Sequence, residues 1–546
     1  VGNIHLEFNL LDEPWIRVLT EDHRIKEVSL PDALIHAHQF VGLAGEMPTQ
    51  DFALLRLLLA ILYAVFGRCD TQGLESPVAD ADSALDRWEE LWSLKALPEQ
   101  PVRDYLSKWR DRFWLFHPQH PFWQAPSAGE GTSYGAGKLN GAVSESENKL
   151  RFFRSRSGEQ LKTLSFAEAA RWLLFLNGFD DNSAKPKGKN LPSPGTGWLA
   201  KISPVMTEGD NLFETLLLNL VMLRDGAEPW KSFVPVWELD EHPWKERQQI
   251  TVPDDPAALL TLQSRRLLLK REGEKVTGYA LLGGDFFTKE NAFQEQMTTW
   301  TPVKESMKKP EGGWQPAIRY DPSRQLWREF PSLAVRDDSN HLPGVVTWCT
   351  MPDIRDILGP DRLLRFRVCS MIFQDAKSFF YIDTFSDSLD LSLGILSDLG
   401  RVWQAHISAE IVSCTEAAQA VGHLAQDICR AAGADANDVS LKAKNKQAQS
   451  DFYYRVDIPF RRWLLTLKTS DSAPVMTEKR LAWQRQCLDI ARRLGQELAG
   501  AAGETAFIGR TQKDSNNRDP RHYCTPLAYS HFLNRLRKIY KGADQQ

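Results

Sequence analysis

The chain has 546 residues, 66 basic against 71 acidic side chains, a net charge of −5 and 42% apolar residues. That length exceeds what one hydrophobic core organises, so two or three domains are expected. The balance is that of a soluble globular protein and excludes a chain coated by nucleic acid along its length, while a local basic groove stays compatible with it.

Seven scattered cysteines, Cys69, Cys349, Cys369, Cys414, Cys429, Cys487 and Cys524, never fall in CxxC spacing. This argues against a cysteine zinc site and a disulfide framework. The amino end shows no signal-peptide pattern, and the cytoplasm is the expected location.

Residues 6–30 alternate as strands do, with turn residues at Asp12, Glu13 and Pro14 and again at EDHR, and predict an opening β hairpin. PDALIHAH and QDFALLRLLLAILYAVFG have helical spacing, with Gly67 as a stop. The apolar run 54–66 is broken by Arg56 and is too short to cross a bilayer, so it is expected as a buried helix. Residues 82–116 continue helically until HPQHPFWQAP forces an extended turn. His117 and His120 in that turn have no third ligand nearby and are expected to serve structure.

From Ser127 to Asn148 the composition changes to Gly, Ser and Glu, which predicts a mobile loop. KLRFFRSRSGEQLKTL then sets Arg151, Arg154 and Arg156 around Phe152 and Phe153. Guanidinium groups meet phosphates and rings meet bases, so this pattern suits RNA or a single strand; an edge strand with a solvated face suits it equally. A helix is predicted over 166–176.

The next stretch, SAKPKGKNLPSPGTGWLAKISPVM, carries Lys185, Lys187, Lys189 and Lys201 and no acid. Gly188, Gly195 and Gly197 let a backbone approach a ligand closely, and the lysines neutralise a polyanion. The same composition describes a solvated surface loop, and the spacing is not that of a nucleotide-binding GxxxxGK[ST] loop. GDNLFETLLLNLVML follows as a helix.

Residues 233–330 read as mixed strands and helices, with WELDEHPW and TTWTPVKESMKKPEGGW as loops. The second loop holds the basic cluster Lys304, Lys308 and Lys309. After residue 386 the pattern becomes helical. Leu396, Gly400, Trp403, Ile407 and Ile411 form one apolar stripe, and Leu481, Leu488, Ala491, Leu494 and Leu498 form another. With further helices near 412–432, 450–468 and LAYSHFLNRLRKIY, the region predicts a helix bundle. KAKNK (442–446) and GRTQKDSNNRDPRHY (509–523) read as exposed loops. The 18 tryptophans sit among other apolar residues, in clusters such as Trp109, Trp114, Trp123 and Trp300, Trp314, Trp327, and are expected mostly in cores.

No GxSxG elbow, HExxH, kinase motif set or Walker loop is present, and pairs such as Asp180 and Asp181 or Asp254 and Asp255 read as turn residues. A stand-alone metal-dependent nuclease or hydrolase built from distant residues stays open, as does a purely structural scaffold.

FNLLDEPWIRVL, HPQHPFWQ, GKNLPSPGTGWLAK followed by NLFETLLLNLV, RYDPSRQLWR and SDFYYRVDIPFRRWL, in this order over nearly the whole length, resemble CasA, the large subunit of the type I-E CRISPR surveillance complex Cascade. The resemblance implies an α+β chain, with a mixed α/β amino-terminal domain over 1–385 and a carboxy-terminal four-helix bundle over 386–546. It implies a role without catalysis, cofactor or metal: recognition of the protospacer-adjacent motif in double-stranded DNA, duplex opening and R-loop formation, and recruitment of a helicase-nuclease. The implied partners are guide RNA, target duplex DNA, the small, backbone and handle-capping subunits of Cascade and the helicase-nuclease, with no membrane. Protein then reads a short duplex motif while base pairing reads the rest.

By position, the resemblance puts a minor-groove loop on Lys185, Lys187, Gly188, Lys189, Gly195 and Gly197, and a minor-groove lysine at Lys304, Lys308 or Lys309. It puts a glutamine wedge at Gln374, flanked by Phe373 and Asp375. Contact with the 5′ handle of the guide RNA falls on Phe152, Phe153, Arg154 and Arg156.

Overall fold

A computed structural model of the protein describes residues 6–140, 158–182, 195–224, 226–239, 255–285, 294–303, 313–317, 320–335, 340–373, 381–435, 439–512 and 520–543. The chain divides into two compact units. The first takes residues 1–322, 336–359 and 364–388, and the second takes 323–335, 360–363 and 389–546.

In chain order the elements begin with β1 (Glu7–Asn9), β2 (Ile16–Thr20), β3 (Ile25–Val28), α1 (Leu30–Ile35), β4 (Phe40–Leu43), α2 (Pro48–Phe66), α3 (Ala81–Leu94), α4 (Glu99–Lys108) and β5 (Trp114–Phe116). They continue through β6 (Thr132–Gly135), α5 (Ala136–Leu139), α6 (Glu159–Lys162), α7 (Phe166–Phe179), β7 (Val205–Glu208), α8 (Leu212–Asn219), β8 (Leu223–Arg224) and β9 (Glu228–Pro229). Next come α9 (Pro256–Thr261), β10 (Arg265–Glu272), β11 (Lys275–Gly283), β12 (Trp300–Pro302), β13 (Trp314–Pro316), α10 (Phe330–Ala334), α11 (Gly344–Thr350), α12 (Pro352–Leu358), β14 (Leu363–Phe373) and β15 (Tyr381–Ser392). The last are α13 (Leu393–Leu396), α14 (Arg401–Ala432), α15 (Val439–Leu465), α16 (Ala473–Gly500), α17 (Glu504–Ile508), β16 (Arg510–Gln512), β17 (Arg521–Tyr523) and α18 (Thr525–Ile539).

The first unit is mixed helix and sheet. Its small sheets have the orders β3-β2-β4, β10-β11-β6 and β15-β14-β7, with two-stranded ladders β1-β5, β8-β9 and β12-β13. The opening hairpin is β2–β3 alone, because β1 leaves it to pair with β5, Glu7 opposite Phe116. Residues 114–116, expected to continue a helix, form that partner strand. The apolar α2 is buried on every side, as expected of a core helix. Its Arg56 is tolerated there because Nη1 donates to Glu295 Oε1 at 2.8 Å, so the buried guanidinium keeps a counter-charge. By length and composition α2 is also the one described helix apolar enough to cross a membrane, and the window concerned lies wholly inside the fold.

The segment from Ser127 onward, expected as a mobile loop, is ordered and partly buried up to Asn140. β6 pairs with β11 in register, Tyr134 opposite Tyr279, and α5 follows directly. Its glycines serve close approach: a Cβ on Gly131 would meet the Leu281 carbonyl oxygen at 2.2 Å. The predicted loop over TTWTPVKESMKKPEGGW likewise begins and ends in strands, with Trp300 opposite Pro316 and Pro302 opposite Trp314. In the turn at His117, Nδ1 accepts from the Gln119 and His120 amides at 3.0 and 2.8 Å.

The second unit is dominated by the four long helices α14, α15, α16 and α18. The α14 stripe of Trp403, Ile407, Cys414, Ala418 and Val421 is buried and continues unbroken through residues 412–432, so this is one helix. KAKNK, expected as a loop, lies within α15. Leu441, Ala448, Phe452, Val456 and Phe460 form its buried stripe, and the lysines occupy the other faces. Indole rings hold the centre: Trp327 stacks on Phe460 with centroids 4.2 Å apart, and Trp463 on Trp483 at 5.7 Å. Trp15, Trp88, Trp172, Trp327, Trp348, Trp403 and Trp483 are fully buried, in line with the core role expected of tryptophan.

Candidate nucleic-acid interface

The segment 203–208 is paired along both edges. On one edge β14 runs antiparallel to β7, Arg365 opposite Glu208 and Val368 opposite Val205, and the Cys369 amide donates to the Pro204 carbonyl at 3.4 Å. Arg367 reinforces this edge through Glu208, Nη1 to Oε1 at 2.9 Å. On the other edge the Val205 amide donates to Met297 O at 3.1 Å and the Thr299 amide to Ser203 O at 3.2 Å, with a bridge between Pro204 and Thr298.

Both neighbours are antiparallel to 203–208, so they advance in the same direction. β14 therefore reaches Phe373, and β12 reaches Val303, at the end where the chain arrives from Gly195. The β12–β13 hairpin is closed there by the Val303 amide donating to Gly313 O at 2.9 Å. Its base is tied back by Ser203 Oγ donating to Ala317 O at 3.2 Å. Non-local strand pairing has thus brought the ends of β12 and β14 to the end of 203–208 at which the chain enters, and the Lys/Gly/Pro stretch precedes that segment through residues 195–202.

The root of the Lys/Gly/Pro stretch is built from charge. α7 opens with a capping box, the Glu168 amide donating to Ser165 Oγ and the Ser165 amide to Glu168 Oε2, and ends at Asp180 and Asp181. Arg265, at the start of β10, donates from Nε to Asp180 Oδ2 at 2.5 Å and from Nη2 to Gly195 O at 2.5 Å. Lys138 Nζ donates to Asp181 Oδ2 at 2.8 Å. The Gly197 amide donates to Asp180 O at 2.8 Å, and Trp198 Nε1 donates at 3.1 Å to Glu295, the carboxylate that also accepts from Arg56. Both ends of the stretch are therefore gripped by the same buried groups.

The two described glycines each have a geometric reason. Gly195 has φ +64, and Gly197 is buried with its Cα against α7, where a Cβ would lie 2.3 Å from the Gly178 carbonyl oxygen. Phe373 is half-buried at the end of β14. The remaining expected contact residues, Lys185, Lys187, Gly188, Lys189, Lys304, Lys308, Lys309, Gln374, Asp375, Phe152, Phe153, Arg154 and Arg156, lie outside the described residues. Residue-pattern reading takes Asp180 and Asp181 for turn residues and passes over Arg265 and Lys138. The signal was available in two adjacent acids at the end of an apolar helix, directly before an acid-free basic run.

A cleft of about 730 Å³ borders α6, lined in part by Arg17, Arg171 and Lys275 and by Glu27, Glu46, Glu159 and Glu168. Carboxylates outnumber the bases, and Arg171 is engaged by Glu27 at 2.8 Å, so the cleft is ill suited to phosphate. Among the described residues no group of three or more His, Cys, Asp or Glu is arranged to hold a metal ion.

Residues 9–494 match the family model for CRISPR-associated protein Cse1. The chain belongs to the Cse1 family. A CRISPR-associated protein CasA/Cse1 of Thermus thermophilus is 28% identical over 438 residues, covering 78% of each chain. The crystal structure of Thermobifida fusca Cse1 superposes with a TM-score of 0.78 at 28% identity, over 98% of both chains. A chain in a structure of a CRISPR RNA-guided surveillance complex has the same fold, with a TM-score of 0.68 at 19% identity over 98% of this chain and 99% of that one. CasA and Cse1 thus name the family of Cascade large subunits to which this Cse1-family chain belongs, and its mixed amino-terminal region and helical carboxy-terminal region match the Cse1 architecture.

Proposed function

We propose that this chain is the subunit with which a guide-RNA-loaded complex reads the protospacer-adjacent motif in duplex DNA, starts strand separation and summons a helicase-nuclease. The observation that carries the reading is the shared end of β12, β14 and the segment entering from Gly195. Two of the stretches expected to touch DNA continue directly from that end, after Val303 and Phe373, and the third leads to it through residues 195–202. A minor-groove reader needs a cation and a close backbone approach at one depth, with a wedge beside them, and strand-anchored roots favour such a fixed spacing.

In this reading Lys185, Lys187 and Lys189 meet phosphates, Gly188 lets the backbone enter the groove, and one of Lys304, Lys308 and Lys309 reaches the groove floor. Gln374 stands one residue beyond Phe373, where β14 and β15 supply a paired base for a side chain that must replace stacking in an opened step. Phe152, Phe153, Arg154 and Arg156 contact the 5′ handle of the guide RNA. The chain catalyses nothing itself; its chemistry is binding, and cleavage belongs to the recruited enzyme. It works in the cytoplasm with the small, backbone and handle-capping subunits. The surveillance-complex structure that shares its fold supports that setting.

Each lysine that neutralises a phosphate contributes about 0.9 to the slope of log K against log salt. Replacing Lys185, Lys187 and Lys189 together with alanine is expected to weaken duplex binding and to flatten that slope by about 0.9 for each phosphate left without its lysine. Fluorescence anisotropy across a salt series reads both, and an unaltered slope removes this loop from the interface.

A further inference from the structure

Two of the seven thiols, both in the second unit, face each other. Cys414 on α14 and Cys487 on α16 are 73 residues apart in the chain, yet their sulfurs lie only 3.8 Å apart. Both residues are 0% exposed. Tyr540, just past the end of α18, donates from Oη to Cys487 Sγ at 3.1 Å and holds that sulfur beside Cys414.

Packing alone does not call for thiols here. One turn further along each helix the same buried faces carry Ala418 and Ala491, both 0% exposed, so these faces accept side chains without sulfur. What cysteine adds to a core is its chemistry, since its packing is that of a small hydrophobe. A disulfide has its sulfurs about 2.05 Å apart, so closure asks for a combined movement of about 1.8 Å, within reach of rotation about the two Cα–Cβ bonds. Burial pushes the Cys414 thiol well above its ordinary value, and the neighbouring Cys487 adds to the shift. The thiolate is the reactive form, so the closed bundle keeps the pair inert and reaction waits on a local parting of the helices.

We propose that Cys414 and Cys487 form a peroxide-responsive dithiol, whose oxidation to a disulfide locks α14 to α16 and whose reduction by a small thiol releases them. One sulfur, as its thiolate, attacks a peroxide oxygen and the O–O bond breaks. The leaving hydroxide takes up that thiol's proton as water, and a sulfenic acid remains. The second sulfur attacks the sulfenic sulfur, the S–O bond breaks, and this hydroxide leaves as water with the second thiol's proton. In all, two thiols lose two electrons and two protons, and one peroxide becomes two waters. The new bond closes a loop that contains the whole of α15, which restrains the unfolded bundle. A small thiol reverses the step by thiol–disulfide exchange.

The test exposes the reduced full-length chain to hydrogen peroxide, blocks the remaining thiols with N-ethylmaleimide, and maps peptides by mass spectrometry beside a thermal scan. Oxidation is expected to give one linked peptide pair, Cys414 to Cys487, and to raise the unfolding temperature of the bundle by about 5–15 °C. Dithiothreitol should abolish both, and urea below the unfolding transition should speed formation of the link. Cys414→Ala should lose the link and the shift; should that variant fold poorly, the wild type before and after dithiothreitol gives the same reading. Oxidation that leaves Cys414 and Cys487 as thiols, stops at their sulfinic acids, or joins either of them to another cysteine overturns the dithiol. A link between Cys414 and Cys487 with an unchanged or lowered unfolding temperature overturns the lock.

Discussion

Arg265→Met is expected to destabilise the first unit by about 3–5 kcal/mol, the scale for removing one partner of a buried ion pair. The guanidinium does more than neutralise Asp180. It donates to Asp180 Oδ2 and to the carbonyls of Gly195, Ser264 and Asp181, the last two at 2.8 and 3.3 Å. Methionine fills much of the volume and supplies no donor, which leaves a carboxylate and three carbonyls to be satisfied inside the fold. Against a typical total of roughly 5–15 kcal/mol, that loss brings the unit close to unfolding. Urea denaturation of the full chain checks it. The midpoint of the transition belonging to the first unit should fall while its slope stays the same, and the helix bundle's transition should not move. A shift below about 1 kcal/mol would mean that the pair is dispensable.

Gln374→Ala should slow opening of the duplex at the first base pair by about ten- to a hundredfold and change initial duplex binding little. A wedge offsets an unstacking cost of a few kcal/mol per step, and each 1.4 kcal/mol removed from that offset is about a factor of ten in rate. In the proposed reading initial binding rests on phosphate contacts elsewhere, which the substitution leaves in place. Stopped-flow fluorescence of a base analogue beside the motif separates the two steps. Unchanged opening kinetics would remove Gln374 as the wedge.

Local patterns carried much of the architecture. The apolar stripe of α2, the stop at Gly67, the tryptophan-rich cores and the long helices of the bundle all follow from periodicity within one element. Pairing between distant elements was not legible. A three-residue strand such as Trp300–Pro302 has no period to detect, and β6 looked like a loop because Gly131 just before it answers to Leu281 and Gly135 at its end pairs with Gly278, in a strand more than a hundred residues away. KAKNK looked like a loop because its charges hid the stripe from Leu441 to Phe460.

The same division holds at the candidate site. The lysine-rich stretch was visible as composition, but its anchorage was not. Asp180 and Asp181 read as turn residues until the fold brought Arg265 and Lys138 to them from 85 and 43 positions away. The shared end of β12 and β14 depends on 203–208 being paired on both edges, a relation between segments that no local window contains.

The most direct measurement follows R-loop formation by a guide-RNA-loaded complex lacking this chain, with and without the chain added back, on targets that carry or lack the motif. The account predicts rapid opening only when both the chain and the motif are present. Equal opening rates on motif-bearing and motif-free targets in the presence of the chain, or no gain when it is added, would contradict it.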